Sequence, residues 1–216
     1  MESPRPSPSP EEWARLEAKL ARTDEDRWIS SRYAEGQARR CLAALYAFNV
    51  ELARVRSVVS EPTLGAIRYQ WWRDALEELR AGKPARQHDV VRALADSVDQ
   101  GAYSLDELTG LIDGHEDAFE LSDRSLEPEA ALTAVAAGVL DAHHDWGRSI
   151  GIIAPAYAAL RRGEGIGSVP APPKAPSAIR PAIAHLRLRR IYGKGRNPGA
   201  LTKRWVVLRA ILGGQV

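Results

Sequence analysis

The sequence predicts an all-α protein, and three features of its 216 residues lead to that prediction. Apolar side chains recur every three or four residues over long stretches, which is the period of one helix face. Strand-like alternation is absent, and β-branched residues are sparse. Capping boxes mark two helix starts, one at Ser9 with Glu12 and one at Ser104 with Glu107. The predicted helices cover residues 10–22, 24–34, 37–59, 62–80, 87–100, 104–121, 128–145, 147–162, 177–192 and 199–212.

Two of these helices are defined by their apolar stripes and by the break between them. The first, over 37–59, places one set of side chains on a single face: Leu45, Phe48, Leu52, Val55 and Val59. Glu61 and Pro62 end it, and Pro62 can open the next helix because a first-turn residue needs no backbone donor. In that second helix the spacing predicts a buried stripe with Trp72 beside it: Leu64, Ile67, Trp71, Ala75 and Leu79.

Length and composition predict one soluble domain. We expect it to cover residues 10–216, after a disordered tail over residues 1–9 in which prolines cluster. The single cysteine, Cys41, lies in an apolar helix and is expected to be a packed thiol in a reducing compartment. No secretory signal is expected, and the longest run of small apolar residues, 130–140, is about half of a membrane span.

The segment from Asp26 to Leu79 resembles the squalene/phytoene synthase family, whose members join two allylic diphosphates head to head. The resemblance rests on Ser30 and Ser31, on LYAFN at Leu45–Asn49 and on IRYQWWRDAL at Ile67–Leu76. The pattern is closest to the branch of alphaproteobacterial members that are similar to mitochondrial complex I assembly factors. This resemblance implies the all-helical isoprenoid synthase fold, here in a shortened form.

One departure from the family concerns the metal-binding carboxylates. In active members an aspartate-rich motif follows LYAFN by one to two turns and holds the magnesium ions that bind the substrate diphosphate. The matching residues here contain no carboxylate: Ala53, Arg54, Val55, Arg56 and Ser57. Arginine can bind a phosphate directly but repels a cation. We therefore expect no metal, no cofactor and no metal-dependent ionisation at this site.

The second half of the chain matches the family more loosely. Leu111–Gly114 with Asp117, Val135–Gly138, and Trp146–Gly151 resemble family segments, but Glu164 is the only acid after Gly147. Both of the family's aspartate-rich motifs are thus missing.

Two pairs of aspartates have a spacing that could suggest a metal site. Asp141 and Asp145 stand four residues apart with histidines between them, and Asp113 and Asp117 have the same spacing around His115. On a helix this spacing would put both carboxylates of a pair on one face. We interpret both pairs as solvated helix surface, although Asp117 also matches a family position.

If the family's cavity is retained, the resemblance implies which residues line a lipid-ligand site. They are Ser30, Ser31, Tyr33, Tyr46, Asn49, Arg54, Arg56 and Asp117. Ordinary helix packing is the alternative interpretation for these positions. No catalytic residue is assigned.

Charge is strongly divided along the chain. Residues 1–146 carry 17 basic and 27 acidic side chains, whereas residues 147–216 carry 13 basic side chains and one acidic. This asymmetry indicates that the basic part meets a negative partner, either an acidic or membrane-bound protein complex or an anionic lipid surface. Nucleic acid is the weakest candidate because few aromatic residues lie among the cations. The predicted contact residues are Arg187, Arg189, Arg190, Lys194, Arg196, Lys203, Arg204, Trp205 and Arg209.

The last predicted helix gives the sharpest indication of such a contact. Its apolar stripe comprises Leu201, Trp205, Leu208 and Leu212. The pattern fits a helix that lies on a membrane or in a partner's groove, and the alternative is a terminal helix docked on the core with a charged outer face.

Three functions are consistent with the sequence. The first is a non-catalytic assembly factor or scaffold, of a respiratory complex as the resemblance to that branch implies. It would be peripheral at the inner membrane, on the cytoplasmic side or, in a eukaryote, on the mitochondrial matrix side. The second is a prenyl-diphosphate transferase of squalene/phytoene synthase type with a degenerate metal site, which binds the diphosphate through Arg54, Arg56 and Ser30 or Ser31 in place of metal. The third is an accessory subunit bound through the basic C-terminal half. We favour a binding role over catalysis.

Overall fold

A computed structural model of the chain describes Arg5, residues 7–59 and residues 61–216, and these residues are helical without a β-strand. The α-helices are α1 (Pro10–Thr23), α2 (Glu25–Ser31), α3 (Gly36–Val58), α4 (Pro62–Arg80), α5 (Asp89–Asp99), α6 (Leu105–Glu120), α7 (Glu129–Gly138), α8 (Gly147–Arg161), α9 (Arg180–Ile183), α10 (Arg189–Tyr192) and α11 (Ala200–Gly213). Short 3-10 segments occupy Arg124–Leu126 and Ala184–Leu188. The predicted all-α class is confirmed.

The chain forms two compact units. The first unit contains the residues up to Asp24 together with Arg40–Pro128, and the second contains Glu25–Arg39 together with Glu129–Val216. The single domain predicted over 10–216 stays a prediction. The tail predicted over residues 1–9 falls mainly on 1–4 and 6, which lie outside the described residues. Arg5 donates to a carboxylate oxygen of Asp99 at 2.5 Å.

In the first unit, α3 supplies the centre of the core. The predicted face of Leu45, Phe48, Leu52, Val55 and Val59 is buried, as expected. Both predicted capping boxes are present: the hydroxyl of Ser9 accepts from the amide of Glu12, and that of Ser104 accepts from the amide of Glu107. The starts of these two helices were therefore predicted correctly from the local sequence.

The buried face of α4 differs from the predicted one. The buried residues of this helix are Gly65, Tyr69, Trp72, Ala75, Leu76 and Leu79. Of the predicted stripe, Leu64, Ile67 and Trp71 are exposed. The reason is the approach of α6: a β-carbon on Gly65 would lie 2.1 Å from Cε1 of Phe119, so only glycine admits that ring.

In the second unit, two predicted helices are shorter or broken. The helix predicted over 128–145 ends at Gly138. Beyond it the carboxylate of Asp141 accepts from the amide of His143 at 3.0 Å, and Nδ1 of His144 accepts from the amide of Trp146 at 3.2 Å. Such side-chain bonds replace the helical ladder. The helix predicted over 177–192 breaks into α9, a 3-10 segment and α10.

Candidate functional site

The α3 residues that match the family's aspartate-rich motif present cations, not carboxylates. Ala53, Arg54 and Ser57 are exposed, and Arg56 is half-buried with its Nε 3.9 Å from a carboxylate oxygen of Glu127. Guanidinium groups offer no oxygen to a hard divalent ion. These residues therefore do not fit the magnesium that the family fold implies. Across the described part of the chain, no group of three or more His, Cys, Asp or Glu side chains is placed to hold a metal ion.

Three other predicted ligand residues of the first unit do not share one environment. Tyr46 and Asn49 are buried, and the side-chain oxygen of Asn49 lies 2.9 Å from Nε2 of His115 on α6. Asp117 is exposed on the same helix. The buried amide–imidazole pair joins α3 to α6, so Asn49 has a packing role whatever else it binds.

The aspartates that suggested metal sites do not converge on an ion. Asp113 pairs with Arg73 at 2.6 Å, while His115 points into the core between two exposed aspartates. Asp141 and Asp145 lie beyond the end of α7, so they do not share a helix face. Asp113 and Asp117 thus lie on an exposed helix surface, as interpreted, whereas Asp141 and Asp145 lie between α7 and α8 and not on a helix.

An open groove of about 480 Å³ lies beside Arg54 in the first unit. Its floor is apolar, and Arg54 and Arg68 are exposed at its edge. Burial lowers the pKa of His88 in its wall, so this imidazole is neutral at physiological pH. The lining residues are Glu51, Arg54, Val55, Val58, Ile67, Arg68, Trp71, Trp72 and His88.

The remaining predicted ligand residues belong to the second unit. Ser30 is buried and donates to the carbonyl of Pro181 at 2.8 Å, and Ser31 donates to the carbonyl of Trp28 at 3.0 Å. Tyr33 is exposed. Both hydroxyls therefore make structural bonds, and the role of these three residues in ligand binding stays a prediction.

A buried carboxylate in the second unit was not foreseen. Asp26 on α2 has no exposed surface, and one of its oxygens accepts from the hydroxyls of Tyr157 at 2.8 Å and Tyr192 at 2.6 Å. Its other oxygen lies 2.9 Å from Nζ of Lys203, and Nε of Arg161 is 3.7 Å from the carboxylate. These four partners lie on α8, α10 and α11, so the group fastens α2 to three other helices.

The charges around Asp26 determine its ionisation. Burial acts to raise the pKa of Asp26, but Arg161, the Tyr192 hydroxyl and Lys203 together outweigh burial and hold the pKa below its usual range. Burial likewise acts to lower the pKa of Lys203, but Asp26 and Glu25 raise it. Both groups are therefore charged at neutral pH. No sequence signal could reveal the group, because all four partners lie more than a hundred residues from Asp26 along the chain.

The predicted partner-binding residues differ in accessibility. Arg189 is buried and donates to the carbonyls of Leu186 at 3.1 Å and Val216 at 3.2 Å, and burial lowers its pKa to about 10. Lys203 faces Asp26, and Arg187 donates to the carbonyl of Gln215. Exposed residues make up the remainder: Arg190, Lys194, Arg196, Arg204, Trp205 and Arg209.

Three of the four residues of the stripe predicted for the last helix are exposed on α11, and the fourth, Leu208, is half-buried. Leu201, Trp205 and Leu212 are 80%, 61% and 71% exposed, whereas Val207 and Ala210 on the opposite side are buried. The helix is therefore docked on the core through Val207 and Ala210, and its outer face carries Leu201, Trp205 and Leu212 as well as exposed cations. Among the described residues, no helix has both the length and the hydropathy of a membrane span.

Comparison with known proteins agrees with the resemblance. Residues 20–139 match the squalene/phytoene synthase family, and because this is more than half of the chain, the chain belongs to that family. No solved structure matches it.

Similar curated proteins carry the name "NADH dehydrogenase (ubiquinone) complex I, assembly factor 6". The Rattus norvegicus protein is 34% identical over 138 residues, which cover 58% of this chain and 41% of the relative. The Mus musculus and Homo sapiens proteins are 38% and 37% identical over 68 residues, which cover 32% of this chain and 20% of each relative. The chain thus spans less than half the length of these relatives. The predicted similarity to complex I assembly factors is confirmed.

Proposed function

We propose that this chain is a non-catalytic member of the squalene/phytoene synthase family that serves as an assembly factor or scaffold for a membrane-associated respiratory complex. The observation that carries the proposal is the stretch of α3 from Ala53 to Ser57, which holds two arginines and no carboxylate. Leaving-group departure from a diphosphate needs its charge neutralised by a metal that this stretch does not recruit. The names of the similar mammalian proteins support a role in the assembly of complex I.

The features that remain are those of a binding protein. The groove beside Arg54 combines an apolar floor with two exposed cations, and α11 presents an apolar stripe to solvent. Residues 147–216 carry 13 basic side chains and one acidic, so their partner is negatively charged. We place the protein peripherally at the inner membrane, on its cytoplasmic side or, in a eukaryote, on the matrix side, with the membrane-bound complex as its partner.

Affinity purification and a turnover assay test this proposal together. A tagged chain, recovered from membranes in a mild detergent, is expected to retain subunits of the NADH:ubiquinone oxidoreductase that a tag-only bait does not. Incubated with magnesium and farnesyl or geranylgeranyl diphosphate, the purified chain is expected to give no condensation product above the protein-free blank. An enzyme-like rate of condensation would instead support the prenyltransferase alternative and refute the non-catalytic role.

A further inference from the structure

Helix α11 is apolar on two opposite sides, and only one of them is buried in the fold. Val207 and Ala210 are buried on the inner side. Leu201, Trp205 and Leu212 form the outer side, and at 1.5 Å rise per residue this stripe is about 16 Å long. Isolated exposed leucines are common, but an aligned row that includes a tryptophan is typical of a contact surface.

Polar anchors fix the orientation of α11, so the stripe cannot turn inward. Nζ of Lys203 on the inner side contacts the carboxylates of Glu25 at 3.0 Å and Asp26 at 2.9 Å. At the other end Arg180 donates to the carbonyls of Ile211 at 2.8 Å and Leu212 at 3.2 Å, where a cation also complements the helix dipole. Both ends are thus held by the second unit itself.

Cations border the stripe on both sides. With about 100° of rotation per residue, Arg204 and Arg209 fall on opposite flanks of the row from Leu201 to Leu212, and both are exposed. Arg196, also exposed, lines the same pocket as Lys203 near the start of the helix. Residues 165–216 contain no acidic side chain that could repel an anionic surface.

We propose that α11 binds the surface of an anionic lipid bilayer and lies in its plane. Leu201, Trp205 and Leu212 enter the boundary between headgroups and acyl chains, where tryptophan is favoured because its ring is apolar and its N–H is polar. Arg204 and Arg209 contact lipid phosphates on either side of the helix. A planar anionic surface meets both flanks at once and requires no matching set of acidic residues, which favours it over an acidic protein groove. This inference rests on the proposed membrane association but not on the identity of the complex.

Vesicle sedimentation with the purified full chain tests the inference. Vesicles of phosphatidylcholine alone are compared with vesicles in which phosphatidylglycerol replaces part of the phosphatidylcholine. We expect binding to the anionic vesicles only, and we expect added salt to weaken it. Each cation near an anionic leaflet contributes about 1 kcal/mol to the free energy of membrane binding. The double variant Arg204→Glu/Arg209→Glu is therefore expected to weaken binding at least about 30-fold.

Matched variants distinguish binding through this surface from general effects of net charge and of exposed apolar side chains. Arg22→Glu with Lys83→Glu makes the same change of net charge on exposed cations of the first unit and is expected to have a far smaller effect. Leu201→Ser with Trp205→Ser is expected to abolish binding, whereas Leu121→Ser, at another exposed leucine, leaves it intact. All of these positions are exposed, so circular dichroism and the melting temperature should confirm that each variant is folded.

Three outcomes would overturn the inference. They are equal binding to neutral and anionic vesicles, full binding by the Arg204→Glu/Arg209→Glu variant, and no vesicle binding at all. If vesicle binding fails while affinity purification still recovers respiratory-complex subunits, the assembly role stands and the basic half contacts protein. If the chain binds anionic vesicles but no subunit is recovered, the inference that α11 binds membranes is retained and the assembly role is refuted.

Discussion

Replacing Asp26 with alanine is expected to lower the free energy of unfolding by about 3 kcal/mol. The substitution removes the acceptor for two buried tyrosine hydroxyls and the counter-ion of Lys203. Breaking one side of a buried ion pair costs more than the pair itself contributes, because the remaining charge is left uncompensated. We expect the lower end of the usual range, because Lys203 and Arg161 are partly open to solvent. Urea denaturation followed by circular dichroism measures the change.

Controls isolate the buried carboxylate as the cause. Asp145→Ala removes an exposed aspartate of the same unit and is expected to change stability by less than about 0.5 kcal/mol. Asp26→Leu combined with Lys203→Met removes both charges and is expected to cost less than the sum of the two single changes. Equal stability of the Asp26→Ala and Asp145→Ala variants would contradict the proposed role of this group.

The depressed pKa of Asp26 predicts that the stability of the fold depends on pH. Because the pKa of Asp26 is depressed in the folded chain, the folded state binds its proton less readily than the unfolded state. The stabilisation is therefore complete above the unfolded pKa of about 4 and is lost as the pH falls through the lower folded value. The difference in unfolding free energy between the wild type and Asp26→Asn should accordingly shrink in acid. A constant difference down to strongly acidic pH would contradict this assignment.

Two adjacent tryptophans are expected to differ widely in their contribution to stability. Trp72 is 5% exposed and packs edge-to-face against Phe48 with the ring centroids 5.1 Å apart. We expect Trp72→Ala to cost about 3–5 kcal/mol, as is usual for a large aromatic in a core. Trp71 is 37% exposed, and we expect Trp71→Ala to cost at least about 2 kcal/mol less, since truncation there leaves no enclosed cavity. Chemical denaturation of the two single variants measures the difference.

The neighbouring position is the control in this experiment, because the two variants remove the same side chain from the same helix. Equal losses of stability, or a larger loss for Trp71→Ala, would show that the groove wall belongs to the core. That result would also remove Trp71 from the candidate binding surface.

What the sequence could predict depended on local chemistry. The capping boxes at Ser9 and Ser104 satisfy backbone donors within one turn, so their pattern is complete in four residues. The apolar face of α3 was predicted correctly because the alternative faces of that helix do not carry an equally continuous row of large side chains. Pro62 was likewise a sufficient signal for the start of α4.

The wrong predictions concern segments that could adopt either of two local structures. There the choice is made by contacts with residues distant in the sequence or by side-chain bonds to the backbone. Helix α4 has two rows of apolar side chains, and the choice of the row with Tyr69 and Trp72 is made by Phe119, which fits against Gly65. The helix predicted to reach residue 145 ends at Gly138, and beyond it the Asp141 and His144 side chains accept hydrogen bonds from backbone amides.

In the candidate sites, too, features within one helix could be predicted and contacts between distant residues could not. The absence of carboxylates from residues 53–57 and the apolar stripe of α11 were visible in the sequence because each lies within a single helix. The contacts of Asp26 were invisible, since Tyr157, Tyr192 and Lys203 reach it only through the fold. Charge alone predicts that Arg189 and Lys203 belong to the partner-binding surface, but charge does not reveal burial.

The most direct test of the proposed function is the amount of assembled NADH:ubiquinone oxidoreductase in cells of the source organism that lack this protein. Native electrophoresis of their membranes, stained for NADH oxidation, is expected to show a marked loss of the complete complex, which the wild-type gene restores. A complete complex at the normal level in the deletion cells would contradict the assembly role.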